Sequence, residues 1–176
     1  MTKPRLAVPI GPEDHALGSD TAAIQLVEFG DYQCSYCAEA HLVIRELQQH
    51  FGDALLFVFR NMPLVNLHPR AEAAAEAAEA AGLQGRFWPM HDLLFINQSD
   101  LSDTALLRYA GQAGADAELV AEDLRTGTTR RRIQADIDDA IGRGVTGTPT
   151  FFVNGIRYDG SWELAQFANH LRHELH

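Results

Sequence analysis

The chain has only two cysteines in 176 residues, and they stand three positions apart, as Cys34 and Cys37. A secreted scaffold stapled by disulfides needs more of them at longer spacings, so that class is excluded. A four-ligand structural zinc site has no second cysteine pair to draw on, and Cys34, Cys37 and His41 leave it one ligand short. Positive charge is scarce too. Against 24 Asp and Glu stand 14 Lys and Arg, a net charge of −10 that would be repelled by a phosphate backbone. Nucleic acid is therefore not expected as a partner, and the one basic run, Arg130-Arg131-Arg132, reads as a solvated helix face.

Long apolar runs are missing as well, so no segment is expected to span a bilayer. At the N-terminus Leu6-Ala7-Val8 is broken by Pro9, Gly11 and Pro12, too soon for the apolar region of a signal peptide. No internal repeat or low-complexity linker is present. These absences lead to the expectation of a cytoplasmic protein with no membrane partner, although an exported form restarted with Met would look the same. Its oligomeric state is left open.

What is present has the texture of one α/β domain. Residues 1–22 are rich in Pro, Gly and Asp and read as an extended lead-in. Ile24 to Phe29 is a short apolar, β-prone run ended by Gly30-Asp31. A helical pattern follows from Cys34 to Phe51, with Ala38, Leu42, Leu47 and Phe51 as a candidate buried side. Ala54 to Arg60 is a second buried strand. Together these predict a βαβ unit with parallel strands and a right-handed crossover.

Residues 69–142 predict helices. Pro69 suits a first turn. Arg70 to Ala81 is alanine-rich, with Glu72, Glu76 and Glu79 as a solvated acidic face. Further helices are expected over Phe87–Asn97, after a Ser102 or Asp103 cap, from Asp116, and from about Thr128 to Ile141. Thr150–Val153 then predicts a strand, Asn154-Gly155 a tight turn and Ile156–Asp159 the returning strand. Ser161 is the candidate cap of a last helix that buries Trp162, Leu164, Phe167 and Leu171.

The chemistry sits in Cys34-Ser35-Tyr36-Cys37, where the first strand hands over to a helix. A cysteine must ionise to act as nucleophile, and free backbone N–H groups at a helix N-terminus stabilise the thiolate. Three residues along a helix, two Cα atoms are about 5 Å apart, within the reach of a disulfide. By position, Cys34 at the mouth should be exposed and attack, and Cys37, one turn in, should be buried and resolve the mixed disulfide. Glu28 interrupts the first strand's apolar run. It is either a solvated edge residue or a carboxylate buried at a cost. Pro149 either starts an edge strand in the trans form or is a cis-proline, and the local sequence does not separate these.

Val27-Glu28-Phe29, the Cys34–Cys37 motif, Gly147-Thr148-Pro149-Thr150 and Phe151-Phe152-Val153 resemble the DsbA-like members of the thioredoxin superfamily. So does the stretch Phe87-Trp88 to Met90-His91-Asp92-Leu93-Leu94-Phe95. The resemblance implies a single DsbA-like domain over residues 1–176. Its thioredoxin fold, a mixed sheet with flanking helices, would occupy 20–62 and 144–176, with an inserted all-helical subdomain at 63–143.

The resemblance also assigns roles. Pro149 would be a cis-proline facing the disulfide, and the Thr148 backbone would bind an extended substrate beside Ser35 and Tyr36. Glu28 would be a buried carboxylate that relays a proton to or from Cys37, its pKa raised by burial. His91 is expected to be structural, and His170, His173 and His176 to face solvent. The implied activity is thiol–disulfide exchange with protein thiols or small thiols. It needs no metal or organic cofactor, and glutathione or a thioredoxin-type protein could exchange electrons with it. Tyr36 departs from the histidine that the more oxidising members carry, so a weaker oxidant is expected and the direction stays open. A glutathione-dependent transferase or isomerase on the same fold, or a non-catalytic peptide-binding module, are the alternatives.

Overall fold

The computed structural model describes residues 2–176. Five strands form one sheet: β1 (His15–Leu17), β2 (Ile24–Gly30), β3 (Leu55–Asn61), β4 (Thr150–Val153) and β5 (Ile156–Tyr158), in the order β1-β3-β2-β4-β5. β2 and β3 pair in parallel, with Glu28 opposite Phe59, and every other pair is antiparallel. All seven residues of β3 are buried, as a strand covered on both faces requires. This is the mixed sheet with flanking helices of the thioredoxin fold.

Helix α1 (Ser35–Phe51) makes the crossover between β2 and β3. Five helices separate β3 from β4: α2 (Ala71–Leu83), α3 (Phe87–Ile96), α4 (Asp103–Gln112), α5 (Ala117–Thr126) and α6 (Arg130–Gly142). Helix α7 (Leu164–His173) closes the chain. Alternation along the strands builds two cores. Leu26, Phe57, Phe59, Phe151 and Val153 share one with residues of α1, α7 and α2 to α6. Val27, Phe29, Leu56, Val58 and Phe152 share the other with Ala140 of α6 and Val145. Each fully buried Phe contributes about 1.5–3 kcal/mol.

Several expectations are corrected by tertiary packing. The lead-in contains β1, which pairs with Phe57–Phe59 of β3. Three residues are too few to show a period. The buried side of α1 is Cys37, Ala40, His41, Ile44 and Leu47, and Leu42 is 64% exposed. The helix is rotated because Cys37 turns inward and its neighbours follow at three- and four-residue steps. His41 is thereby enclosed.

Glu76 and Glu79 are buried rather than solvated. Each has a partner: Glu76 meets Arg130, and Glu79 accepts from Asn61 and bonds His15. Helix α6 bridges the two cores: Ile133 packs with the other inserted helices, and Ala140 packs on the far face of the sheet. Arg132, placed on a solvated face by its run, pairs there with Asp136 and Asp14. In α7, Phe167 and Leu171 are buried, but Leu164 is exposed and Trp162 only half-buried. Ser161 accepts from the Glu163 N–H two residues ahead of the cap position, which Glu163 itself fills.

Candidate active site

Cys34 sits at the N-cap of α1, and Cys37 lies in its first turn. Both are free thiols. Cys37 is fully buried, and Cys34 is 5% exposed. The order of accessibility is the one expected, but Cys34 is not open to solvent. Its sulfur is tucked against the loop before β4, 3.5 Å from the Thr148 carbonyl, to which it donates when protonated. The Thr148–Pro149 peptide bond is cis. Ser35 and Tyr36 are exposed beside it, Tyr36 at 61%.

The two sulfurs differ in acidity. The Cys34 thiol is pulled from 9.0 down to about 5. The largest cause is a hydrogen bond from the Cys37 thiol; burial opposes it; Thr148 and the backbone N–H groups of Cys37 and Tyr36 support it. Cys37 is pushed well above the usual thiol range, first by burial, then by donating its proton to Cys34, then by the charges of Glu28 and Cys34. One sulfur is a thiolate at neutral pH, and the other keeps its proton.

Glu28 lies on β2 with the residues that face α1. It is 1% exposed, and its Oε1 has no hydrogen-bond partner. Burial, and then the Cys34 charge, raise its carboxyl from 4.5 to about 8. The solvated edge position is therefore not the one occupied. Gly30 is required here because a Cβ would come within 2.4 Å of the Phe59 ring and 3.0 Å of Glu28 Oε1.

Other residues shape the turn without having been foreseen. The Asp31 carboxylate is buried and accepts from Gln33 N and Leu64 N, with His68 Nδ1 at 2.8 Å. Tyr32 is buried with its hydroxyl 2.9 Å from His91 Nδ1. Burial drives His91 far below the usual histidine range, so it stays neutral as a structural residue. Gln98 donates to the carbonyls of Tyr32 and Cys34. Asp31, Tyr32 and Gln33 could have been suspected from their place before Cys34. His68 and Gln98 carried no local signal. His173 and His176 are exposed and His170 is half-buried against Tyr158. Among the described residues no group of three or more metal-type side chains converges.

This fold, with a cysteine pair at the start of α1 and a threonine–proline loop against it, defines a DsbA-type protein of the thioredoxin superfamily. A family model described as Thioredoxin matches residues 11–172, and the chain belongs to that family. Among solved structures it is similar to oxidised BdbD from Bacillus subtilis, at 24% identity and a TM-score of 0.88 over 99% of this chain and 97% of the other. It is also similar to alpha-DsbA1 from Wolbachia pipientis, at 25% identity and a TM-score of 0.78 over 95% and 92%. Among curated relatives it is 45% identical over 164 residues to Na(+)/H(+) antiporter NhaA 1 of Mycolicibacterium gilvum, covering 92% of this chain and 27% of that protein. The chain thus spans about a quarter of the length of the curated relatives it matches.

These matches overturn the cytoplasmic expectation. Likeness to part of an antiporter and to DsbA-type proteins points to a membrane-associated or exported setting. No helix among the described residues is long and apolar enough to cross a bilayer.

Proposed function

We propose that the protein exchanges disulfides with protein thiols through Cys34 and Cys37. The observation that carries this reading is the opposed acidity of the two sulfurs, one thiol near 5 beside one held far above its usual range. In the oxidising direction, a substrate thiolate attacks Cys34 Sγ of the Cys34–Cys37 disulfide, and Cys37 leaves. A Cys37 thiolate is the stronger base, and Glu28, protonated up to about pH 8, stands ready to supply its proton. A second substrate thiolate then attacks the substrate sulfur of the mixed disulfide. Cys34 departs readily because a low-pKa thiol is the better leaving group. Two electrons pass to the enzyme and the substrate gains one disulfide.

The depressed Cys34 supports oxidation of the partner, since a stabilised thiolate stabilises the dithiol form. A membrane-associated or exported setting suits the same direction. Thr148 and the Pro149 turn are the proposed platform for an extended substrate chain, with Ser35 and Tyr36 at its rim. The transferase and peptide-module alternatives account for no feature of the site that thiol exchange leaves over.

The test is Cys37→Ala. It should accumulate covalent adducts through Cys34 when incubated with a disulfide-bonded protein substrate, one sulfur of which leaves as a thiol, visible by non-reducing electrophoresis and mass spectrometry. Normal multiple turnover by that variant would overturn the dithiol mechanism.

A further inference from the structure

Helix α1 starts without an ordinary cap. Cys34 occupies the N-cap position at φ −76° and ψ 122°, and no side chain accepts there in the usual way. The first-turn N–H groups of Tyr36 and Cys37 support the Cys34 sulfur instead. Whether they converge on that sulfur depends on how the peptide around Cys34 is turned.

Two carbonyls report that turn, those of Tyr32 and Cys34, and one side chain holds both. Gln98 Nε2 donates to Tyr32 O at 2.9 Å and to Cys34 O at 2.8 Å. The Cys34 carbonyl also accepts from Ala38 N at 3.2 Å, as the first acceptor of α1. Gln98 therefore shares an oxygen with the helix at the residue that carries the nucleophile. It follows α3, in the inserted helical block, and is half-buried. The neighbouring anchors of this segment, Asp31 to Leu64 N and Gln33 to Arg70 N, hold residues before Cys34.

We infer that Gln98 is a positioning residue for the Cys34 nucleophile: its carboxamide locks the redox turn so that the N–H groups of α1 converge on the sulfur. This rests on the reading of Cys34 and Cys37 as the exchanging pair. Gln98 touches neither sulfur nor substrate and takes no proton or electron. Its effect passes through the backbone, from the helical block to the thiolate.

The experiment compares Gln98→Leu, which fills the space but cannot donate, with Gln98→Lys, which keeps a donor of sufficient reach. The reduced full chain is titrated by thiolate absorbance, and each redox pair is equilibrated with glutathione. Q98L should titrate about one pH unit higher than wild type, a tenfold loss of acidity, for the weakening of one charge-assisted hydrogen bond. Its glutathione equilibrium should move about tenfold toward the protein disulfide. Q98K should titrate at or below the wild-type position. A purely structural role would lower thermal stability in both variants and leave both titrations in place.

The inference is overturned if Q98L titrates with wild type, or if Q98K rises as far as Q98L. Should Q98L fail to fold, Gln98→Met, which also fills the space without donating, takes its place: a titration about one pH unit above wild type supports the inference and a wild-type titration sinks it. A wild-type chain with two ordinary thiols and no exchange with glutathione would overturn both this inference and the reading beneath it.

Discussion

Glu28→Gln should stabilise the protein, and by an amount that depends on pH in a defined way. In the folded chain burial holds the Glu28 carboxyl at about 8, against 4.5 for an ordinary glutamate. An acid whose folded pKa is raised binds a proton that the unfolded chain has released. Stability is then lost as pH rises between those two values. Below 4.5 both states are protonated and the residue costs nothing of this kind. Above it, each pH unit costs about 1.4 kcal/mol, so about 3 kcal/mol has accumulated by pH 7 and about 5 kcal/mol by pH 8 and beyond.

Glutamine has nearly the same shape and no proton to release. The variant should match wild type near pH 4, exceed it by about 3 kcal/mol at pH 7, and melt about 10 °C higher there. Urea unfolding of both proteins at a series of pH values measures the gap directly. The reduced form should show the larger gap, because the Cys34 charge also raises Glu28. A gap that stays flat from pH 4 to pH 8 would refute the reasoning, since only ionisation of a buried Glu28 makes it grow. The oxidised form of the same variant should form mixed disulfides more slowly, because Cys37 would leave without its proton donor.

Cys34 alkylation by iodoacetamide should follow a pKa near 5, with a half-maximal rate about four pH units below that of an ordinary thiol. At pH 7 its advantage should be only about twofold, because lowered nucleophilicity offsets the greater thiolate fraction, and at pH 5 it should approach one-hundredfold. A profile rising only above pH 8 would contradict the site's electrostatics. Tyr36→His should lower the Cys34 titration further and make the pair more oxidising against glutathione; an unchanged equilibrium would remove Tyr36 from the argument. Phe167→Ala empties a fully buried site on α7 beside Phe151 and should cost about 3–5 kcal/mol in denaturant unfolding. A loss below about 1 kcal/mol would mean that α7 does not pack on the sheet as described.

The strand, helix and strand around Cys34 were legible because they are local. Ile24–Gly30 and Leu55–Asn61 are apolar runs whose burial on both faces shows in composition alone. Cys34 and Cys37 were legible because their spacing matches a helical turn, and family resemblance added the Thr148–Pro149 loop from far along the chain. Other features needed the packed molecule. The inward side of α1 is set by Cys37 and Ile44 meeting the sheet, which periodicity assigned wrongly to Leu42. Glu76 and Glu79 read as solvent-facing until Arg130, His15 and Asn61 arrived from distant elements to pair with them.

By itself, then, the sequence determined the class of chemistry: two thiols one helical turn apart at a strand-to-helix junction, with an acid on the strand below. Tertiary structure decided how those groups behave. The acidity of Cys34 comes from Cys37, Thr148 and backbone N–H groups converging on one sulfur, and the high pKa of Glu28 comes first from burial and then from the Cys34 charge. Both depend on distance and dielectric, which exist only once the helical block and the sheet have closed around the turn.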